Sequence, residues 1–159
     1  MVTLKWCCGQ KEGIRLIEPN DNLANGYLKM AENSLGTMNR ERKYNQTFAI
    51  SACYYSMYYS LYAICMKIGI KCEIHSCTIE FMKKILMGFY LEDDLKTIKK
   101  AFDIRNIAQY YVDKIVLKED ADYIMEKAPL FFNKSKEILT KLNEVDIKGI
   151  REKIENFNK

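Results

Sequence analysis

The segment from Ala49 to Ile70 limits most strongly how this chain can fold. It reads AISACYYSMYYSLYAICMKIGI, with five tyrosines and a single charged residue, Lys67. A helix that is apolar nearly all the way round belongs in the middle of a bundle or at a buried interface. No segment stays apolar for the roughly 18 residues that a membrane span needs, because Lys67 closes this one. The segment therefore predicts the central helix of an all-α fold with no membrane partner.

Apolar residues recur at three- and four-residue spacing along most of the remaining chain, which is typical of helices with one buried face. The predicted helices cover about 22–42, 44–67, 79–89, 92–116, 119–142 and 145–157. Gly69 is a suitable left-handed cap for the second, and Ser76 or Thr78 is expected to cap the third. Pro129 is expected to kink the fifth, because it removes one backbone hydrogen bond. Short connections predict an up-and-down bundle of four to five main helices.

The chain length favours one domain with three parts. Its 159 residues are enough to bury a sizeable core. Residues 1–19 are interpreted as a short irregular N-terminal arm, with a hairpin as one possible form, pinned by Trp6. Residues 20–142 are expected to form the bundle, and residues 143–159 a charged, peripheral C-terminal helix.

Charge and the N-terminal residues give weaker indications. A net charge of +4 and a pI of 8.6 favour an anionic partner but do not require nucleic acid. The first residues, MVTLKWCCGQKEG, contain no apolar run followed by a small-residue cleavage site. We therefore expect a cytoplasmic location.

The six cysteines are expected to be reduced thiols. Two lie inside the central helix and are interpreted as small hydrophobic residues. Cys7 and Cys8 are adjacent and cannot easily bond each other. Cys72, His75 and Cys77 lie close together, but their spacing is loose for zinc and no second CxxC appears. The sequence therefore predicts no metal and no cofactor.

Arg105 is the first candidate for chemistry. It continues the apolar line of its predicted helix, which directs a guanidinium towards buried or interface surface. A charge there must be paired or must hold an anion. One interpretation is a structural ion pair, for which nearby or facing carboxylates are Asp103, Asp113 and Glu32. The other is phosphate binding, which suits the planar guanidinium.

Tyr110 and Tyr111 follow Arg105 on the same predicted helix. Five residues along a straight helix correspond to about 140° of rotation, so Arg105 and Tyr110 do not share a face. They converge only through long reach, a helix distortion or the meeting of two subunits. The alternative for both tyrosines is packing, with a hydroxyl bonded at the rim.

The tyrosine stripe of the central helix allows three interpretations. Core packing is one, and a dimer interface is another. A stacking platform for nucleobases is the third, but such platforms carry cations between the aromatic rings. The helix has almost no cations between Phe48 and Met66.

His75 is the only histidine of the chain. It precedes the third predicted helix and is interpreted either as a hydrogen-bonded hinge or as a general base. No second histidine and no obvious partner carboxylate are available for a triad. The sequence also lacks a P-loop, GxGxxG, HExxH or paired carboxylate motif, which argues against most classes of metabolic enzyme.

Two segments carry a resemblance to a known family. After a helix that contains Leu23–Leu35, SACYYSMYYSLYAICMKIGIKCEIHSCTIEFM and RNIAQYY resemble the HEPN superfamily of small helical domains. They are more narrowly similar to its prokaryotic branch found beside minimal nucleotidyltransferases. The resemblance covers about residues 15–142 and implies a helical bundle that dimerises. Many members are metal-independent ribonucleases that use an Arg, a polar residue and a His beyond them, and some are toxins neutralised by their nucleotidyltransferase.

The resemblance places the family's Arg on Arg105 and its polar residue on Asn106, while its histidine falls on Tyr110 or Tyr111. Tyrosine, with an ordinary pKa of about 10, is a poor general base at neutral pH. The candidate site residues are therefore Arg105, Asn106 and Tyr110, in a degenerate ribonuclease motif.

These residues lead to one expectation for function and two alternatives. We expect a homodimer, formed through the Arg105 helix and the central helix, that works with a nucleotidyltransferase in a toxin–antitoxin-like or stress-response pair. The first alternative is a metal-independent ribonuclease that uses Arg105 and Tyr110. The second is a nucleotide-binding regulator that uses Arg105 and Asn106.

Overall fold

The central apolar segment forms one long helix, and the other elements pack around it. The computed structural model describes residues 2–157. Its elements are α1 (Leu4–Cys8), β1 (Arg15–Leu16), α2 (Asp21–Glu41), α3 (Gln46–Ile68), β2 (Ile70–Lys71), α4 (His75–Ile85), α5 (Glu92–Tyr110), α6 (Lys118–Lys141) and α7 (Glu144–Phe157). The predicted all-α bundle is therefore confirmed, with one small two-stranded sheet in the part of the chain described.

Helix α3 is surrounded because its apolar residues point in every direction. No residue between positions 49 and 68 is exposed, and α2, α5 and α6 all pack against it. Met57, Leu61 and Ile64 are completely buried, and burial of each such side chain contributes about 1.5–3 kcal/mol. The buried hydroxyls of Ser56 and Ser60 donate to carbonyls of their own helix, so they carry no desolvation cost.

The ends of α2 and α3 follow from local sequence. Oδ1 of Asn20 accepts a hydrogen bond from the backbone N–H of Leu23 over 2.9 Å. Oδ1 of Asn45 accepts one from the N–H of Phe48 over 3.1 Å. Each amide satisfies a donor that the first turn leaves free. Gly69 ends α3 in the left-handed region, with φ of 83°, as predicted.

The start of α4 differs from the prediction. The helix begins at His75, and the residue before it, Ile74, has no side chain that can cap it. Ser76 and Thr78 lie inside the first turn, where the Thr78 hydroxyl donates to the Ile74 carbonyl over 3.4 Å. The predicted caps at Ser76 and Thr78 are therefore wrong, and His75 is itself a helical residue.

Helix α5 ends at Tyr110 and does not continue to Val116. Residues 111–115 are all exposed. Without a core to cover, this segment has little to gain from continuing the helix, because helices in proteins draw most of their stability from tertiary packing.

The N-terminal arm is a short helix joined to the bundle, and the predicted hairpin and Trp6 anchor are both wrong. Trp6 is 44% exposed, whereas Leu4 and Cys7 are buried. Strand β1 pairs antiparallel with β2, next to Gly69, and not with another part of the arm. A disulfide joins Cys7 to Cys77, with the two Cα atoms 5.6 Å apart. The expectation that all cysteines are reduced is therefore also wrong.

The last two helices complete the bundle. Helix α6 runs through Pro129 as one element. Helix α7, placed at the periphery by the sequence, buries Ile150 and Ile154 against the core. Its Arg151 donates through Nη1 to the backbone carbonyls of Ile68 and Gly69, at the C-terminal end of α3, and of Ile17 in the N-terminal arm. Within residues 2–157, none of the helices combines the length and apolar character needed to cross a membrane.

Candidate functional site

Arg105 is placed by the buried face of α5. The helix begins with three acidic residues, which favour its positive N-terminal end. Oδ2 of Asp94 accepts a hydrogen bond from the N–H of Leu91 over 2.8 Å. Leu95 and Ile98 then pack into the core, and the same face carries Arg105 inwards, leaving only 8% of it exposed. The apolar pattern therefore directed this guanidinium correctly towards buried surface.

The guanidinium is held by two hydrogen bonds and three aromatic rings. Nη2 donates to the hydroxyl of Tyr55 over 2.6 Å, and Nη1 donates to Oδ1 of Asn106 over 2.9 Å. Cζ lies 5.5, 5.2 and 5.4 Å from the ring centroids of Tyr54, Tyr55 and Tyr110. Each ring at such a distance contributes cation–π attraction of about 0.5–2 kcal/mol.

No carboxylate neutralises Arg105 among residues 2–157. Its Nε is buried and has no hydrogen-bond partner in the same range. The proposed carboxylate partners all lie exposed at the surface: Asp103, Asp113 and Glu32. The ion-pair interpretation is therefore wrong. Because an unpaired buried charge costs several kcal/mol, this arrangement favours the arrival of an anion.

Tyr110 reaches Arg105 although the two residues lie on different faces of α5. The helix ends at Tyr110, and the ring of this last residue extends back over the guanidinium. Long reach was one of the three routes by which the pair can converge. Tyr110 is 65% exposed and Tyr111 is 47% exposed, so neither tyrosine is packed as the alternative interpretation requires. Arg105, Asn106 and Tyr110 are thus together in one chain.

The tyrosines of α3 form the wall behind Arg105. Tyr54, Tyr58 and Tyr62 follow at four-residue spacing and are buried, which confirms core packing for these three. Their rings stack, with centroid distances of 5.8 and 5.6 Å. Burial raises the pKa of Tyr54 and of Tyr58 well above the ordinary value, and it raises that of Tyr62 to about 12. These phenols therefore stay protonated, while Tyr55 and Tyr59 are half-buried.

His75 lies against the same wall. Its Nδ1 is 2.7 Å from the hydroxyl of Tyr54, and its ring stacks on Tyr58 at 4.0 Å with an angle of 7°. Burial lowers the pKa of His75, and the positive charge of Arg105 lowers it further. The imidazole is therefore fixed in orientation and neutral at neutral pH.

The structure brings His75 and Arg105 together, which the sequence did not predict. The Tyr54 and Tyr55 rings contact both residues, because their centroids also lie 5.7 and 6.1 Å from the imidazole centroid. The two residues are thirty positions apart in the chain, since His75 begins α4 and Arg105 lies in the last two turns of α5. The sequence feature that could have predicted this contact is the tyrosine stripe of α3, because its rings contact α4 through His75 and α5 through Arg105.

Cys72 and Cys77, the cysteines near His75, each make another contact and are not arranged as metal ligands. Cys77 is bonded to Cys7, and the Cys72 thiol donates to the carbonyl of Ile74 over 3.4 Å. Burial raises the pKa of Cys72, so the thiolate that a metal requires is disfavoured. In the described chain, 2–157, no group of three or more His, Cys, Asp or Glu residues is arranged to hold a metal ion.

Two cavities differ in their relation to these residues. One, of about 390 Å³, lies between α4 and α5 and is lined by Ser76 and Phe102, whose ring is 6.4 Å from that of His75. Another, of about 790 Å³, lies at the C-terminal end of α3 beside Arg151. The smaller cavity therefore lies beside residues that neighbour His75, whereas the larger one lies at another part of α3.

Comparisons with known proteins agree with this architecture. The model of the HEPN domain family matches residues 23–139, which include the residues of α3, α4 and α5 described above. A Methanocaldococcus jannaschii protein named "Putative toxin MJ0142" is 32% identical over 121 residues, which are 73% of this chain and 81% of that protein. The resemblance to HEPN domains is thereby confirmed, and this chain belongs to the HEPN domain family.

Proposed function

We propose that this chain is a toxin-type HEPN protein that binds RNA phosphate at Arg105. The observation that carries the proposal is a guanidinium that is almost completely buried and has no carboxylate partner in residues 2–157. The name of the Methanocaldococcus jannaschii relative adds support for the toxin assignment. RNA is an abundant polyanion of the right chemistry, and charge-assisted hydrogen bonds to phosphate are the strong ones.

Several hydrogen-bond donors around Arg105 have no acceptor in the described chain, which favours a phosphate, with its several oxygen atoms, over a ligand that offers only one acceptor atom. A guanidinium has five N–H bonds, and Arg105 uses one for Tyr55 and one for Asn106. Both partners accept from Arg105, so the Tyr55 hydroxyl hydrogen and the Asn106 amide hydrogens stay available. The site therefore offers one positive charge and several neutral donors, which suits an anion with several oxygen atoms.

We further propose that the active form is a homodimer. Large apolar residues are exposed just beyond the site, in and around the segment that follows α5: Tyr110, Tyr111, Val112, Ile115 and Leu117. The start of α3 lies beside this segment and exposes Tyr44 and Phe48. Exposed apolar surface of this kind is typical of interaction sites. Light scattering behind size-exclusion chromatography should give twice the monomer mass.

A minimal nucleotidyltransferase is the partner that we propose for this dimer. The proposal rests on the resemblance of the α3 and α5 segments to the HEPN branch found beside such enzymes. It predicts that a small nucleotidyltransferase reading frame lies next to the gene. Co-expression of that enzyme should yield a complex that survives size-exclusion chromatography, and failure of the two proteins to co-elute would contradict the pairing.

The RNA-binding proposal is tested with an oligonucleotide that cannot be cleaved through its 2′-oxygen. Fluorescence anisotropy of a labelled 2′-O-methyl RNA 12-mer, without metal and near pH 7, gives Kd for wild type and Arg105→Met. We expect binding to weaken by at least about tenfold, since a hydrogen bond to a charged group contributes about 1.5–3 kcal/mol.

Arg40→Met is the matched control, because it removes the same charge from an exposed arginine that bonds only Thr37 among the described side chains. Its Kd should change by less than about threefold. Equal losses in the two variants would assign the effect to net charge and would contradict an Arg105 site.

A further inference from the structure

His75 has the features of a proton acceptor that none of the assigned roles uses. Its Nδ1 is engaged by the Tyr54 hydroxyl, so Nε2 is the ring nitrogen left for a ligand. Nε2 has no hydrogen-bond partner within residues 2–157, and the side chain is half-buried. When Nδ1–H donates to Tyr54, the lone pair of Nε2 is free to accept a proton.

The groups around His75 keep it neutral. Tyr54, Tyr55 and Tyr58 face it from α3, and burial raises the pKa of Tyr54 and of Tyr58, so these two phenols stay uncharged. Arg105 acts on it from α5 as a positive charge. None of the ion pairs of the described chain includes the imidazole, so no carboxylate there stabilises its protonated form. These surroundings therefore favour the neutral imidazole of His75, which can accept a proton, over the protonated imidazolium.

A strand of RNA has a route to this position. The cavity of about 390 Å³ between α4 and α5 is lined by Ser76, the neighbour of His75, and carries Lys83 and Lys99 together with the acidic residues Glu80 and Asp103. Lys99 makes no ion pair among the described residues, and Lys83 lies 3.9 Å from its nearest carboxylate, on Glu80. These two lysines are the cations of the groove that can contact a phosphate backbone.

We propose that His75, supplied by α4, is the catalytic base of the Arg105 site for the metal-independent RNA cleavage that the resemblance to HEPN domains implies. This inference rests on the proposed binding of RNA phosphate by Arg105. His75 Nε2 takes the proton of a ribose 2′-hydroxyl, and the 2′-oxygen forms a bond to the adjacent phosphorus. The bond from phosphorus to the 5′-oxygen breaks, and that oxygen takes a proton from water. The products are a 2′,3′-cyclic phosphate and a 5′-hydroxyl, and the imidazolium returns its proton to solvent.

Arg105 has a separate part in this reaction. The negative charge on the phosphate oxygens grows as the 2′-oxygen attacks, and a fixed guanidinium stabilises it. Tyr54 is a positioning residue, because its hydroxyl holds the imidazole through Nδ1. Tyr110, exposed over the guanidinium, is then not needed as the base.

The experiment measures cleavage and binding side by side. A labelled RNA 12-mer in EDTA is incubated with wild type, His75→Gln, Tyr54→Phe and Arg105→Met, and the product ends are identified by mass spectrometry. We expect cyclic phosphate ends, with the rate at least about 100-fold lower in His75→Gln. The Kd for the 2′-O-methyl strand should change by less than about threefold in that variant. Circular dichroism confirms that each variant is folded.

Two readouts separate chemistry from structure. Imidazole added to His75→Ala should restore part of the rate, and Tyr54→Phe should give a smaller loss than His75→Gln. The kcat/KM of wild type should fall as the pH drops through the pKa of His75, below about 6.5, because only the neutral imidazole accepts a proton. His75→Gln should lack this acid limb.

The outcomes are distinguishable. Tight, Arg105-dependent binding with no cleavage by wild type, or with cleavage unchanged in His75→Gln, would overturn the role of His75 and leave the RNA-binding proposal intact. Cleavage lost in Tyr110→Phe but kept in His75→Gln would move the base to Tyr110 and would equally refute the inference. Absence of RNA binding by wild type would refute the proposed function itself.

Discussion

Arg151 of α7 and Arg105 of α5 both extend from a flanking helix onto α3, but they meet different groups there. Arg151 reaches the C-terminal end of α3, where its Nη1 donates to the carbonyls of Ile17, Ile68 and Gly69 over 2.7, 3.1 and 3.1 Å. Arg105 donates hydrogen bonds only to the side chains of Tyr55 and Asn106, and its Nε has no partner in the described chain.

We infer that the difference separates an arginine that serves the fold from one that serves the proposed binding of an anion. Carbonyls at a helix C-terminus are left without intrahelical donors and lie at the negative end of the helix dipole, so Arg151 satisfies a need of the fold. No backbone group or carboxylate makes the same demand on Arg105. We therefore expect the fold to depend on Arg151 and not on Arg105, and the predictions below are ordered by their expected effect on the free energy of unfolding.

The largest effect is expected where Arg151 and the end of α3 meet. In Gly69→Ala, the new Cβ would collide with the Arg151 guanidinium and the Ile17 carbonyl, at a residue with φ of 83°. Left-handed backbone costs about 1–2 kcal/mol for alanine, and loss of the Arg151 bonds adds to it. Urea denaturation should show a loss of about 3 kcal/mol. Gly26→Ala, where the added Cβ meets nothing, should be neutral or stabilising.

Arg151→Met should come next, with a loss of about 2 kcal/mol in urea denaturation. The methionine keeps much of the volume but leaves three carbonyls without their charged donor, and hydrogen bonds to charged groups contribute about 1.5–3 kcal/mol. Binding of 2′-O-methyl RNA at a temperature where the variant is folded should be unchanged. A variant as stable as wild type would remove the basis for calling Arg151 structural.

Arg105→Met should unfold at the same urea concentration as wild type or at a slightly higher one. Replacement of an uncompensated buried charge by an apolar side chain of similar volume is often neutral or stabilising. Tyr55 and Asn106 are only partly buried, so water can replace their lost donor. A loss as large as that of Arg151→Met would show that both arginines serve the fold, and the comparison would fail.

His75 should give the smallest effect, seen only as a dependence on pH. Because its pKa is lower in the folded state than the ordinary value of about 6.5, the unfolded chain binds more protons below that pH. Stability should be complete above about pH 6.5 and should fall as the pH drops below it. The loss in wild type beyond that in His75→Gln should be under about 1 kcal/mol, because the ring is only partly buried. Identical pH profiles of the two proteins would contradict a buried, neutral imidazole.

Local patterns predicted the helices but not the contacts between distant segments. The apolar run predicted α3, and its glycine predicted the cap at Gly69. The periodicity of apolar residues in α5 predicted the buried line that ends at Arg105. The end of α5 at Tyr110 was missed because no glycine or proline marks it, and it depends on the absence of a core beyond that point.

The site was predicted in part for the same reason. Arg105, Asn106 and Tyr110 lie within six positions of one another, so sequence spacing could suggest them. The contact of His75 with Tyr54, and the bond between Cys7 and Cys77, join segments far apart in the chain. Spacing carries no information on such pairs, since they depend on how α1, α4 and α5 pack against α3.

The most direct test of the account is whether an anion stabilises the protein through Arg105. Urea denaturation of wild type, Arg151→Met and Arg105→Met is measured with and without the 2′-O-methyl RNA 12-mer at ten times the wild-type Kd. A ligand at that concentration stabilises the folded state by about 1.4 kcal/mol. The account predicts this gain in wild type and in Arg151→Met, and less than about 0.5 kcal/mol in Arg105→Met. The same gain in all three proteins would contradict it.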